Sequence, residues 1–153
     1  MDGHHDIARC EVVTENTLKA LYHELHNQRV ILEGTLLKPN MVISGSECPQ
    51  QAGVDEVAER TVACLKRSVP AAVPGIVFLS GGQSAQDATS HLNSMNANSS
   101  NLPWKLSFSY GRALQAAPLR AWGGTDIDMG RQAFFKRAKE NGEACLGIYK
   151  PTD

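Results

Sequence analysis

The sequence holds no cysteines at metal-clip spacing, no basic or apolar leader and no surplus of either charge, and each absence removes a class of function. Its four cysteines, Cys10, Cys48, Cys64 and Cys145, stand far apart without a Cys-x-x-Cys pair. Neither a zinc site nor a disulfide framework is suggested, and a reducing compartment fits. The opening Met1-Asp2-Gly3-His4-His5-Asp6 has no basic region and no apolar signal core, and no window approaches the ~18 apolar residues that a membrane span needs. These features point to a cytoplasmic protein without a membrane partner. A formal net charge of −1 gives no electrostatic footprint for nucleic acid. His23 and His26 are three apart but have no acidic or Cys partner nearby, so a solvated helix face is the reading and no metal or other cofactor is expected. Asn98-Ser99-Ser100 matches a glycosylation sequon but reads as a polar loop. What remains is a chain of 153 residues, long enough for one domain with its own core.

The stretch that organises the rest is Ile31-Leu32-Glu33-Gly34-Thr35-Leu36-Leu37-Lys38-Pro39-Asn40-Met41, an apolar run interrupted by one lysine. It reads as a strand covered on both faces, as in a parallel sheet. A lysine at the end of such a strand would be partly stripped of water, which disfavours the ammonium and favours an amine able to attack carbonyl carbon. Pro39 keeps Lys38 out of the helical region and aims it from the strand's end. The bland alternative is a lysine that snorkels to solvent. Glu33 lies five residues away, so alternation points it to the opposite side from Lys38, and it receives no proton-transfer role.

Thr14 is expected to cap a first helix with Leu18, Leu21, Tyr22 and Leu25 on its buried face. A polar loop from Ser44 to Gly53 leads to a second helix carrying Val54, Val57, Ala58, Thr61, Val62 and Leu65, stopped by Pro70. Ile76-Val77-Phe78-Leu79 forms the next strand, ending in Ser80-Gly81-Gly82. Ser84 and Asp87 make a capping box for a third helix that buries Ala85, Ala88, Leu92 and Met95, followed by a loop from Asn96 to Asn101. A further strand, Leu106 to Tyr110, ends in Gly111-Arg112 and enters a helix that Pro118 should bend or restart. Asp128 is expected to cap a last helix that stops near Gly142 as a left-handed C′ residue. The tail from Gly147 should fray.

Helices alternating with strands argue for an α/β fold with a parallel sheet. That arrangement puts Lys38, Ser80-Gly81-Gly82 and Gly111-Arg112 at the carboxyl ends of three strands, the edge where such folds carry chemistry. The two glycines let backbone N–H groups approach an oxyanion at a helix start, and Arg112 offers a fork suited to phosphate oxygens. The alternatives are a plain chain reversal for the glycines and a surface ion pair for Arg112. Taken together the residues suggest a phosphorylated carbonyl compound held by its phosphate while Lys38 forms an imine. The imine then acts as an electron sink for carbon–carbon cleavage or formation.

Leu32-Glu33-Gly34-Thr35-Leu36-Leu37-Lys38-Pro39-Asn40-Met41, Phe78-Leu79-Ser80-Gly81-Gly82-Gln83-Ser84 and Ser107-Phe108-Ser109-Tyr110-Gly111-Arg112-Ala113-Leu114-Gln115 resemble the signature segments of class I fructose-bisphosphate aldolase of the eukaryotic type. The resemblance implies an α/β fold that is the C-terminal portion of a TIM (β/α)8 barrel, with about three parallel strands and flanking helices. Residues 1–153 would form a single partial domain. It also implies cleavage of fructose 1,6-bisphosphate to dihydroxyacetone phosphate and glyceraldehyde 3-phosphate in glycolysis and gluconeogenesis, and a homo-oligomer, a tetramer in the family. Lys38 would be the Schiff-base lysine, with Ser80, Gly81, Gly82, Ser109, Gly111 and Arg112 holding the sugar phosphate. A complete barrel takes ~250 residues and eight strands. The family's glutamate pair, its aspartate, two further active-site lysines and terminal tyrosine are therefore expected to lie outside this sequence. A non-catalytic fragment that keeps a phosphate-binding or interaction role is the alternative. A different imine-forming lyase or a transaldolase is disfavoured, because its lysine would sit in another local sequence.

Overall fold

The computed structural model describes residues 1–151. Helix α1 (Ile7–Asn27) starts at Asp6, whose carboxylate accepts the Arg9 N–H at 2.7 Å and so satisfies one of the free donors of the first turn. Thr14 lies inside this helix, seven residues downstream of its first residue, and is not its cap. Three ion pairs fasten α1 to α2 (Val54–Ser68): Glu11 accepts from Arg60 at 2.8 Å and also from Arg67, and Glu15 accepts from Arg67 at 2.7 Å.

A 3-10 turn at Leu32–Gly34 precedes β1, which is only Leu36–Leu37. The long buried strand expected from Ile31 is therefore not formed: Ile31 is 75 % exposed and Leu36 64 %. The physical reason is coverage. An apolar run becomes a buried strand only with neighbours on both sides, and β1 is the sheet edge, paired on one side alone with β2 (Gly75–Phe78). Burial resumes directly after Lys38 at Pro39 and continues at Met41 and Val42, where the Val42 N–H donates to Thr61 Oγ1 of α2 at 2.9 Å.

All pairing is parallel, in the order β1-β2-β3 with β3 at Lys105–Phe108. Leu37 stands opposite Ile76, and Ile76 opposite Leu106. Ile76 and Phe78 alternate with Gly75 and Val77 along β2, and it is Ile76 and Phe78 that are fully buried. They share one apolar cluster with Val57 and Leu65 of α2 and with Leu92 and Met95 of α3 (Ala85–Asn98). The Ser84 hydroxyl accepts the Asp87 N–H at 3.0 Å, as an N-cap should, and donates to the Asp87 carboxylate at 2.7 Å, so the two side chains of the expected capping box bond each other directly. Helix α3 runs on to Asn98, through the start of the expected loop.

Beyond β3, α4 (Arg112–Trp122) carries Pro118 within one helix rather than restarting there, and ends on left-handed Gly123. Helix α5 (Ile127–Cys145) is capped by Asp126, which accepts the Met129 N–H at 3.0 Å, rather than by Asp128. It passes through Gly142, and the left-handed position falls at Gly147. The expected fraying after Gly147 is not seen at Tyr149, which is buried and donates its N–H to Asn93 Oδ1 at 2.9 Å. The last two residues of that tail lie outside the described residues.

Candidate functional site

The carboxyl edge of the sheet is fixed by two hydrogen bonds beyond the strands themselves. The Leu79 N–H donates to Pro39 O at 3.0 Å, and the Ser109 N–H donates to Phe78 O at 2.8 Å. Lys38, Ser80 and Ser109 therefore leave the sheet side by side at the ends of three adjacent strands.

The Ser80-Gly81-Gly82 segment is a tight turn closed by the Gln83 N–H on Ser80 O at 3.0 Å. Its central residues have φ of +54° and +82°, the pair of left-handed positions that glycine fills without strain. Among the described residues, no carbonyl or side chain takes the N–H groups of Gly81 and Gly82. The turn runs directly into the start of α3, where the helix adds partial positive charge. Ser80 itself is buried.

Two side chains that the sequence reading did not single out hold this turn. Gln83 Nε2 donates to Ser80 O at 2.9 Å, and Gln83 Oε1 meets His91 Nδ1 at 2.7 Å. His91 stands three residues after Ala88 on the same buried stripe of α3, so its burial could have been read from helical spacing. Tyr110 is a third such residue: its hydroxyl donates to Ala88 O at 2.8 Å and ties the Ser109–Gly111 loop to α3, and burial pushes its phenol far up.

Burial holds the His91 imidazole below the usual histidine range, against an opposing pull from Asp87. An unfolded chain takes up that proton near 6.5 while the folded chain takes it up at lower pH. Between the two values the unfolded state binds more protons, so acid favours unfolding. The melting temperature is therefore expected to fall as pH drops from about 7.5 to about 5, and His91→Gln should flatten that slope. A variant with an unchanged slope would contradict it. Glu11 acts lower down: burial raises its carboxyl, but the bonds from Arg60 and Arg67 outweigh this and hold it below the usual range, so its contribution is lost as pH falls past about 4.5.

Gly81, Gly82 and Arg112 line one cavity of about 760 Å³, with Ser44, Gln51, Gln83 and His91 among the polar walls. Ser109 is half-buried and Gly111 exposed, and neither they nor Ser80 line it. Lys38 opens onto a different cavity of about 500 Å³, between β1 and the α1 residues Arg9, Cys10, Val13 and Thr14. Met1 is the residue that lines both, and a Cβ added at Gly81 would overlap its sulfur. The expected desolvation of Lys38 is overturned as well, since the residue is exposed. The edge strand leaves one side of it open to water, for the same reason that β1 is short. Among the described residues no group of three or more His, Cys, Asp or Glu side chains could hold a metal ion, and no helix is long and apolar enough to cross a membrane.

A family model described as fructose-bisphosphate aldolase class-I, the glycolytic type, matches residues 1–153. A probable fructose-bisphosphate aldolase class 1 of Xanthomonas axonopodis pv. citri is 55 % identical over 98 % of this chain and 46 % of its own length. Fructose-bisphosphate aldolase B of Sparus aurata is 54 % identical over 99 % of the chain and 42 % of its own length. The cytosolic fructose-bisphosphate aldolase 6 of Arabidopsis thaliana is 54 % identical over 98 % and 42 %. A solved structure of Plasmodium falciparum fructose-bisphosphate aldolase, in complex with TRAP and a small-molecule inhibitor, superposes with a TM-score of 0.95 at 46 % identity, covering 99 % of this chain and 44 % of that one. The chain thus spans less than half the length of the relatives it matches.

Proposed function

The chain belongs to the class I fructose-bisphosphate aldolase family, and from that premise we propose that it forms one partial domain carrying the imine-forming lysine and the phosphate grip of that enzyme. The observation that carries this reading is the common edge. Leu79 bonded to Pro39, and Ser109 bonded to Phe78, set the three turns in one row.

In this reading the backbone donors of Gly81 and Gly82, with Ser80, Ser109, Gly111 and the Arg112 guanidinium, take the phosphate adjoining a ketone. Lys38 Nζ attacks the ketone carbon, the carbinolamine loses water, and a protonated imine results. The bond between the carbon next to the imine and its hydroxyl-bearing neighbour then breaks. Its electron pair passes into the imine nitrogen to give an enamine, the hydroxyl proton leaves to a base, and an aldehyde departs. The enamine takes a proton on carbon to return to the imine, and water adds to that imine and expels the Lys38 amine, so that fructose 1,6-bisphosphate gives glyceraldehyde 3-phosphate and then dihydroxyacetone phosphate, as in glycolysis and, reversed, gluconeogenesis. Proton transfer needs an acid/base within hydrogen-bond reach. Among the described side chains that line the Lys38 cavity none is a carboxylate and His5 supplies an imidazole, so any turnover of fructose 1,6-bisphosphate by this chain alone would have to pass its proton through His5.

A second reading, a non-catalytic phosphate-binding or interaction fragment, draws support from the exposure of Lys38 and from its separation from the Gly81–Arg112 cavity. Both readings share the phosphate grip. A cytoplasmic location and a homo-oligomer belong to the same proposal, the latter in keeping with exposed Leu119, Trp122, Ile127 and Phe135 on α4 and α5. Titration with dihydroxyacetone phosphate tests the grip. Arg112→Ala should weaken binding by about tenfold or more, because a charge-assisted bond of roughly 1.5–3 kcal/mol is lost. Gly81→Ala should do at least as much, since a left-handed residue with a side chain is strained and its methyl meets Met1. Binding unchanged in both variants would refute the assignment.

A further inference from the structure

Arg137 of α5 takes no part in the chemistry above, yet its side chain is only 7 % exposed and makes the most connected polar contacts of the core. Its Nε donates to Ala113 O at 3.1 Å, and Nη2 donates to Ala85 O at 2.8 Å and to Thr89 Oγ1 at 2.7 Å. The remaining arm pairs with Glu140. Ala85 is the first residue of α3, next to the capping Ser84, and Ala113 is the second residue of α4, next to Arg112. One planar group therefore bonds the first-turn carbonyls of both helices that follow the anion-binding turns.

The Thr89 hydroxyl lies 2.8 Å from Ala85 O and 2.9 Å from Asn141 Oδ1; with its one proton given to Asn141, Ala85 O, like Ala113 O, keeps a second lone pair for the guanidinium beside its helical N–H. A buried charge is costly, and apolar side chains of similar volume often stabilise a core equally well. The guanidinium supplies what they cannot: a rigid fork that sets both distance and angle between its acceptors. We propose that Arg137 is a positioning residue that fixes the separation of the Ser80-Gly81-Gly82 turn from the Gly111-Arg112 turn, so that one phosphate can take donors from both. The inference rests on the phosphate reading of those turns.

The test compares the full chain with Arg137→Lys and Glu140→Gln, reading backbone amide resonances before and during titration with inorganic phosphate. Glu140→Gln removes the ion pair but leaves both carbonyl bonds, and so reports a merely structural role. Arg137→Lys is expected to weaken phosphate binding about tenfold and to shift the Gly81, Gly82 and Arg112 amides without ligand, while Glu140→Gln changes affinity less than about twofold. Equal losses in the two variants, or unmoved turn amides in Arg137→Lys, would overturn the proposal. If the unsubstituted chain binds no phosphate, the site reading fails instead, and the bracing is judged on the ligand-free amides alone. Should Arg137→Lys not fold, Thr89→Val removes one of the guanidinium's acceptors and the same amide comparison decides.

Discussion

Phe78→Ala is expected to cost about 3–5 kcal/mol, read as the shift in a urea unfolding midpoint, against a total stability for domains of this size of roughly 5–15 kcal/mol. Phe78 is wholly buried and belongs to the cluster shared with Leu92 and Met95. Removing the ring loses its transfer free energy and leaves a void that close-packed neighbours fill only in part. The effect should reach the site, because the Phe78 carbonyl receives the Ser109 N–H at 2.8 Å and Leu79 N–H holds Pro39 one step further on. Val77→Ala, on the half-buried face of the same strand, provides the contrast and should cost about 1 kcal/mol or less. Equal losses at the two positions would mean that the helices do not cover the Phe78 face.

Features carried by neighbouring residues were legible in the sequence, and those that depend on distant partners were not. The Ser84–Asp87 cap, the stop of α2 before Pro70 and the β2 strand emerged within a residue or so because their causes lie within a few positions. The start of α1 did not. Ile7 and Cys10 extend its buried stripe, but exposed Val12 and Val13 blur the pattern and hide the cap at Asp6. Asp126 and Asp128 offer equivalent local signals, and only the packed helix shows which is used. For β1 the apolar run itself misleads, since its burial depends on strands that are not neighbours within the described residues.

The same division runs through the site. The double-glycine turn was readable because its φ values are a local matter. The partners that hold it, His91 through Gln83 and Arg137 from 52 residues away at Ala85, are set by tertiary packing. The sequence placed Lys38 on the correct edge but could not reveal that Met1 stands between its cavity and that of Arg112.

Lys38 carries the largest functional expectation. A reducible imine requires one amine able to reach a ketone held by its phosphate, so replacement of that amine should be all or none rather than graded. Arg cannot substitute, because its guanidinium stays protonated and forms no imine under these conditions. The most direct measurement is borohydride reduction in the presence of dihydroxyacetone phosphate, followed by mass analysis of the peptide containing Lys38. A covalent adduct on Lys38, absent from Lys38→Arg and strongly reduced in Arg112→Ala, is the expected result. An adduct confined to other lysines, or none in the unsubstituted chain at ketone concentrations that saturate phosphate binding, would contradict the account.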